Sequence, residues 1–428
     1  MSAPTMAKLA DRVPAPRGRD RRSRGLAAVA LATAATATSG HTVTGPLPVL
    51  AVEPHASPGA VGQLATFSAV VCVLAGPALA VATGRWERRT LLTVTLLVTA
   101  AGNVMAAVST SYWTLVAGRM VTALGAATTT AVAVGLAAAA SPPAARARTM
   151  SLVLTGVTAA LLLGVPGVAA MAYWWGYRPA VWAVVGLCLI AAAVVIGAPR
   201  LPAPPALRLA DRLAAATRPG VGGVLIGAAL TWTSIGVGYP YLALVVGTSQ
   251  AAHGPASLYL TFYGLGAAAS TVWVPKLLDH TSPRGVLVCA ALVTALAAAV
   301  LMPSVTHPVF VIATVTAWGA SAWVTAPAAN AWLTDIADGD RGQSGLLLAL
   351  AGAVIYLGLG VGGLLGGAAL TWGGTRALLG VAAVLAVLAA AVFAAVGRGQ
   401  GGWPTPNPGP AAQPPPPGLH PHPHWLPR

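Results

Sequence analysis

Apolar residues run along this chain in blocks of about twenty, separated by short stretches of Pro, Gly, Ser and Arg. Within a block the polar residues are few and small, so no polar stripe marks a water-facing side. A helix that is apolar all round is buried in a large core or lies in a membrane. Crossing a hydrocarbon layer of roughly 30 Å takes ~20 residues of helix. The blocks predict spans over Leu26–Leu50, Gly59–Ala82, Leu91–Val108, Tyr112–Ala140, Met150–Ala172 and Pro179–Gly197. A Pro-rich connector, Ala198–Gly220, follows. Six more spans are expected over Val221–Val246, Pro255–Val274, Gly285–Met302, Pro308–Ala331, Gly345–Thr371 and Arg376–Val396. The fold class is therefore an all-α integral membrane protein with twelve transmembrane helices.

The connector divides the spans six and six, and a repeat supports two pseudo-symmetric halves. The fifth span carries Gly156, then Gly164-Val165-Pro166-Gly167. The eleventh carries Gly352, then Gly360-Val361-Gly362-Gly363, at an offset of 196. The expected organisation is a basic tail (1–25), a first half (26–197), the connector (198–220), a second half (221–396) and a Pro-rich tail (397–428).

Charge sets the orientation. Only 8% of the residues are charged, against about 25% in soluble domains. The net charge of +15 would suggest nucleic acid in a soluble protein. Here the placement argues instead for a lipid bilayer and against nucleic acid. With the N-terminus in the cytoplasm, inner segments hold 21 of the 24 Lys and Arg residues, as the positive-inside rule requires. Both termini are then cytoplasmic in a multi-pass cell-membrane protein. The first apolar run is too long for a signal-peptide core of about 7–15 residues and reads as a retained span. Cys72, Cys188 and Cys289 lie in apolar runs and read as buried small hydrophobes. The final tail is expected to be disordered. Its His420, His422 and His424 alternate with prolines, and polyproline II does not bring alternate residues to one face, so no metal site is expected.

Apart from Arg376 at the very start of the last span, Arg119 is the one Lys, Arg, Asp or Glu inside any of these spans. A charge at mid-bilayer costs about 2.5–3.5 kcal/mol on insertion scales and marks a functional site by default. The alternative is a snorkelling arginine: Trp113 at the span's outer end is six residues, or ~9 Å, away. The first span adds Thr33, Thr36, Ser39 and Thr44 at helical spacing, with His41 beside them and Pro46 and Pro48 beyond. His41 lies at a depth similar to that of Arg119. Histidine changes charge near neutral pH, so the pair is a candidate for proton coupling. The other reading of His41 is a satisfied packing residue.

Four places carry a family resemblance. Gly118-Arg119-Met120-Val121-Thr122-Ala123-Leu124-Gly125-Ala126-Ala127 resembles the fourth-span motif of the major facilitator superfamily, an Arg followed by small residues. Gly156, Gly164, Pro166 and Gly167 resemble the exporter motif of its fifth span, read as a gate hinge; plain small-residue packing is the other reading. The loop Ala80–Leu92 resembles the signature between spans two and three through Arg85, Arg88 and Arg89. Gly84 stands there in place of an Asp, and Glu87 offers the nearest acid. Lys276-Leu277-Leu278-Asp279 resembles the second-half counterpart, with Asp279 and Arg284 as a cytoplasmic latch or a solvated pair. The likeness covers about Leu26–Val396 and is nearest the drug:proton antiporter branch, which includes arabinose-efflux and chloramphenicol-resistance transporters.

The resemblance implies a monomeric secondary transporter that exports a small molecule (drug-like, sugar or metabolite) against protons by alternating access. It implies no cofactor. Candidate cavity residues are Thr38, Gln63, Trp232, Tyr239, Tyr263, Trp318, Asn330 and Tyr356. The missing intramembrane carboxylate keeps a facilitator or a differently coupled carrier open, and the degenerate loop keeps a non-transporting sensor open. An enzyme is not expected. Gly358-Leu359-Gly360-Val361-Gly362-Gly363 matches a dinucleotide fingerprint in letters only, since no strand precedes it. No catalytic cluster or metal spacing occurs in the chain.

Overall fold

A computed structural model describes residues 17–43, 57–83, 86–139, 155–198, 218–248, 255–302, 307–337 and 341–396. Arg85, the stretch 44–56 with Pro46 and Pro48, most of the connector and the tail from 397 lie outside the described residues. Everything described is helical or a short turn. The first half contains α1 (Arg17–Gly40), α2 (Pro58–Ala82), α3 (Arg88–Ala107), α4 (Tyr112–Ala139), α5 (Thr155–Trp175) and α6 (Tyr177–Gly197). The second contains α7 (Val221–Gly247), α8 (Ala256–His280), α9 (Pro283–Leu301) and α10 (Pro308–Ile336). The continuous stretch Arg341–Val396 breaks at Gly373 and Gly374, the latter at φ 65°. Only glycine enters that region freely, so the stretch is two helices, α11 (341–372) and α12 (375–396). Among the described residues, eight segments are long and apolar enough to cross a membrane, the last of them running through both α11 and α12.

The halves pack alike. In the first, α3 lies against α4 and α6, while α4 also meets α1 and α2. In the second, α9 lies against α10 and α12, while α10 also meets α7 and α8. The halves join along two seams, α2 on α11 and α5 on α8. In each seam a glycine lets backbones touch. A Cβ on Gly264 of α8 would strike the Leu161 carbonyl of α5, and one on Gly363 of α11 would meet Thr66 of α2. Close approach through small residues is the expected glue where lipid removes the hydrophobic drive.

The 196-residue offset does not carry over as packing register. Gly164 faces Thr38 of α1, whereas Gly360 faces Ala69 of α2. Ala160–Gly164 forms a π turn, with Pro166 just beyond. A π bulge breaks the regular 3.6-residue phase of a helix, and proline gives up a ladder bond, so the glycine string of α5 rotates out of step with that of α11. Two further expectations change. The first helix stops at Gly40 rather than near Leu50. Cys72 and Cys188 are buried as expected, but Cys289 is exposed.

One theme recurs in how charge is held. Arg89 donates to the carbonyls of Ile196 and Ala198 at the end of α6. Arg178 donates to Ser109, just past α3. Arg218 donates to Ile336, the last residue of α10. Arg284 donates to Ala394 in the last turn of α12. The last four carbonyls of a helix lack partners, and that end carries about half a negative charge. Arg89, Arg218 and Arg284 meet both needs of a neighbouring helix, while Arg178 holds the turn just beyond one.

Candidate functional site

The site is built on the early end of α1. There His41 N–H reaches back to Thr38 O at 3.2 Å and Thr42 N–H to Ser39 O at 3.4 Å. The helix thus tightens before it stops, as free carbonyls at a terminus favour. Arg119 of α4 takes what remains. Its Nη1 donates to Ser39 O and to Thr42 Oγ1, both at 2.8 Å. Its Nη2 donates to Gly40 O at 2.9 Å. The residue is 2% exposed. The guanidinium therefore points across to α1 and caps it, as the other arginines cap their neighbours.

Small residues set this reach. A Cβ on Gly118 would lie 2.9 Å from both Ala106 N and Gly102 O of α3. Gly102 and Gly125 leave room for Thr122 and Thr99 in the same seam. With α4 drawn onto α3, Asn103 of α3 extends the network. Its Nδ2 donates to Ser39 Oγ at 2.6 Å and to Thr99 O at 2.8 Å. Asn103 Oδ1 and Arg119 Nε are buried with no hydrogen-bond partner. Cys72 of α2 bonds to Ala123 O at 3.7 Å and lies within electrostatic reach of Arg119, as does Tyr177.

His41 begins a chain of rings. Its imidazole meets Tyr239 of α7 edge-on at 5.4 Å. Tyr239 stacks on Tyr263 of α8 at 4.6 Å, and Tyr263 meets Trp318 of α10 at 6.2 Å. Gly238 makes room for Trp318, whose six-membered ring lies where a Cβ would be. The chain crosses from the first half to the centre of the second. Trp232 stands nearby in a T-shaped pair with Trp323 at 6.0 Å. Trp318 Nε1 is buried without a partner. Among the described residues, every Asp and Glu lies in the first or last turn of its helix or caps it. The centre is thus aromatic and donor-bearing, with no carboxylate built into its middle turns.

The remaining sequence candidates separate. Thr38 packs on Gly164, and Gly156 meets Ala30 of α1, so this part of α5 faces α1. Pro166 is buried; a Cβ on Gly167 would meet nothing within 4 Å. Thr33 and Thr36 bond back to carbonyls of α1 itself. Tyr356 of α11 packs on the Val71, Cys72 and Ala123 cluster. Gln63 lies beside Gly367 near the end of α11, next to the Tyr241 hydroxyl. Asn330 sits two turns from the end of α10, its carbonyl taken by Thr334. Glu87 caps α3 through Arg89 N–H and Thr90 N–H, with its carboxylate 3.8 Å from the Arg89 guanidinium. Arg88 is buried at the start of α3. Asp279 is exposed in the last turn of α8, and Arg284 reaches α12.

Thr42 and Asn103 were not singled out from sequence, and Cys72 was read there only as a buried small hydrophobe. Their polar atoms matter through contacts between helices, which no spacing along one helix encodes. Asn103 alone offered a signal, as a side-chain amide in the middle of an apolar run.

Comparison with known proteins places this geometry. The family model for the Major Facilitator Superfamily matches residues 27–225 and 221–424. A chloramphenicol resistance protein of Streptomyces lividans is 32% identical over 271 residues, covering 61% of this chain and 68% of the relative. A chloramphenicol efflux pump of Mycobacterium tuberculosis (strain CDC 1551 / Oshkosh) is 29% identical over 236 residues, 53% of this chain. The chain spans 56% of that pump's length. Among solved structures, the nucleoside transporter NupG superposes with a TM-score of 0.74 at 12% identity, covering 88% of this chain and 99% of that one. The peptide transporter POT gives 0.67 at 12% identity, covering 88% and 95%.

Proposed function

The chain belongs to the major facilitator superfamily and is a membrane transporter rather than an enzyme; from that premise we propose that it exports a neutral aromatic small molecule of the chloramphenicol type in exchange for protons. The observation that carries the substrate class is the central ring chain His41–Tyr239–Tyr263–Trp318, with the unpartnered Trp318 Nε1–H at its end and, among the described residues, no acid in the middle turns. Rings favour stacking partners. Buried N–H groups without acceptors favour ligands that bring carbonyl or nitro oxygens. Among the described residues a cationic substrate would find no carboxylate there.

The two sequence-related halves pivot about the α2–α11 and α5–α8 seams. Access alternates between the arginine-rich end, placed in the cytoplasm, and the end where α7 and α11 finish. Gly156, Gly164, Pro166 and Gly167 form the hinge, with the π turn supplying its slack. His41 is the proton carrier, since it joins the ring chain on one side and lies within electrostatic reach of Arg119 on the other. The protein works as a monomer in the cell membrane, with both termini cytoplasmic. It needs no cofactor.

Everted vesicles test the reading. Radiolabelled chloramphenicol should accumulate when respiration acidifies the lumen and fall to background when a protonophore collapses the gradient. Accumulation indifferent to the protonophore excludes proton coupling and leaves a facilitator. His41→Ala should bind chloramphenicol but lose the pH dependence of its transport. Unchanged pH dependence removes His41 from the mechanism.

A further inference from the structure

Three features lie outside this reading: the buried thiol of Cys72, the sealed amide oxygen of Asn103, and the seat of Tyr241 at the end of α7. The third carries furthest. Tyr241 is 0% exposed, although it lies near the end of its helix and directly after Pro240. Its hydroxyl lies 3.3 Å from Gly59 O of α2 and 3.3 Å from Gly363 O of α11, one from each half. Glycines form the cup. A Cβ on Gly62 would overlap the Tyr241 ring, and one on Gly366 would lie 2.8 Å from it. A Cβ on Gly367 would lie 3.2 Å from the hydroxyl. Gly59 in turn faces Gly367 O and Thr371. Three helices from two halves therefore close around one phenol, and the fit leaves no room for any side chain larger than hydrogen.

The residue is also tied to the centre. Tyr239-Pro240-Tyr241 is a single 3₁₀ turn inside α7. Pro240 fixes one backbone angle and removes a ladder donor, so the turn is stiff locally and hinged against the helix on either side. Tyr239 at one end of the turn touches His41 and Tyr263. Tyr241 at the other end touches Gly59 and Gly363.

We infer that Tyr241 is the latch of the gate at this end, and that the Tyr239–Pro240–Tyr241 turn moves as one piece, so that disturbing the central ring stack releases the latch. The inference rests on the alternating-access reading. Its test needs no transport, so the two fail separately. Spin labels go on Trp113→Cys at the start of α4 and Trp372→Cys at the end of α11, both well exposed, in full-length protein carrying Cys289→Ser. Electron–electron distance measurements then report the separation of the halves. The parent should show mainly the short distance. Tyr241→Phe keeps the ring and loses both hydroxyl contacts. The single hydroxyl proton is shared between two carbonyls, of which only Gly59 O lies in the other half, so one neutral buried bond is lost and the ratio of long to short distance should rise roughly three- to tenfold. Gly62→Ala, which pushes the ring out of its cup, should raise it further. Tyr239→Ala touches neither label nor cup and should raise it as well. A distribution unchanged in Tyr241→Phe and Gly62→Ala overturns the latch. One unchanged in Tyr239→Ala alone overturns the coupling through the turn. Distances that shift as expected in a protein that exports no chloramphenicol would count against the proposed function and leave the latch standing.

Discussion

Replacing Arg119 with alanine removes three bonds at one stroke. Two of the acceptors, Ser39 O and Thr42 Oγ1, keep each other, since the Thr42 hydroxyl donates to Ser39 O at 3.0 Å. Gly40 O loses the 2.9 Å contact and has no such substitute among the described residues. Gly40 is exposed and the bond only part-buried, so water replaces part of it and the cost is about 1 kcal/mol, the low end for an unsatisfied carbonyl. The last turn of α1 should then open roughly fivefold more often, at 1.4 kcal/mol per factor of ten. Hydrogen exchange of the amides between residues 36 and 43 measures that opening, and chloramphenicol efflux from cells measures its consequence. The expected outcome for Arg119→Ala is faster exchange in this segment alone, normal arrival in the membrane and loss of efflux. Arg119→Gln separates two roles. Its amide can still donate to one carbonyl, so exchange should recover in part. If efflux stays absent, the positive charge itself is needed. Arg119→Lys keeps the charge and loses the planar fork, and should sit between the two. Normal exchange together with normal efflux in Arg119→Ala would refute the reasoning.

Two further outcomes follow from contacts already described. Gly164→Ala places a Cβ against Thr38 Oγ1 and should lower thermal stability by about 1–3 kcal/mol, the usual cost of overpacking. Adding Thr38→Ala should recover most of that loss in a double-mutant cycle. Arg284→Gln leaves the last turn of α12 without its cation and should cost less than about 1 kcal/mol, because the contact is only half-buried; a drop in melting temperature beyond a few degrees would mean that Arg284 does more than cap.

The spans were legible because their signal is local: twenty apolar residues, then Pro, Gly or Arg. The α1 boundary was not. Leu26–Leu50 is apolar throughout, but α1 ends at Gly40, where Arg119 receives its carbonyls. Arg119 stood out as a buried charge, and Gly118 and Gly125 beside it announced a close seam. That its partners are peptide oxygens of another helix has no sequence signature, since every residue has a carbonyl. Tyr241 was overlooked for a similar reason. An aromatic residue near a span end looks like an interfacial anchor. The cue was Tyr239-Pro240-Tyr241 taken together with Gly59, Gly62, Gly363, Gly366 and Gly367, and these come from three separate helices.

The arginines that cap helix ends bear on how the protein tolerates acid. A bilayer protein of this kind can meet different acidity on its two faces. A scaffold braced by arginine–carboxylate pairs would slacken wherever the carboxylates took up protons. Peptide oxygens take up none in that range. Arg119, Arg178, Arg218 and Arg284 therefore grip their neighbours equally well on either side of the membrane, and the frame stays constant while any proton-sensitive step is left to a few side chains near the centre.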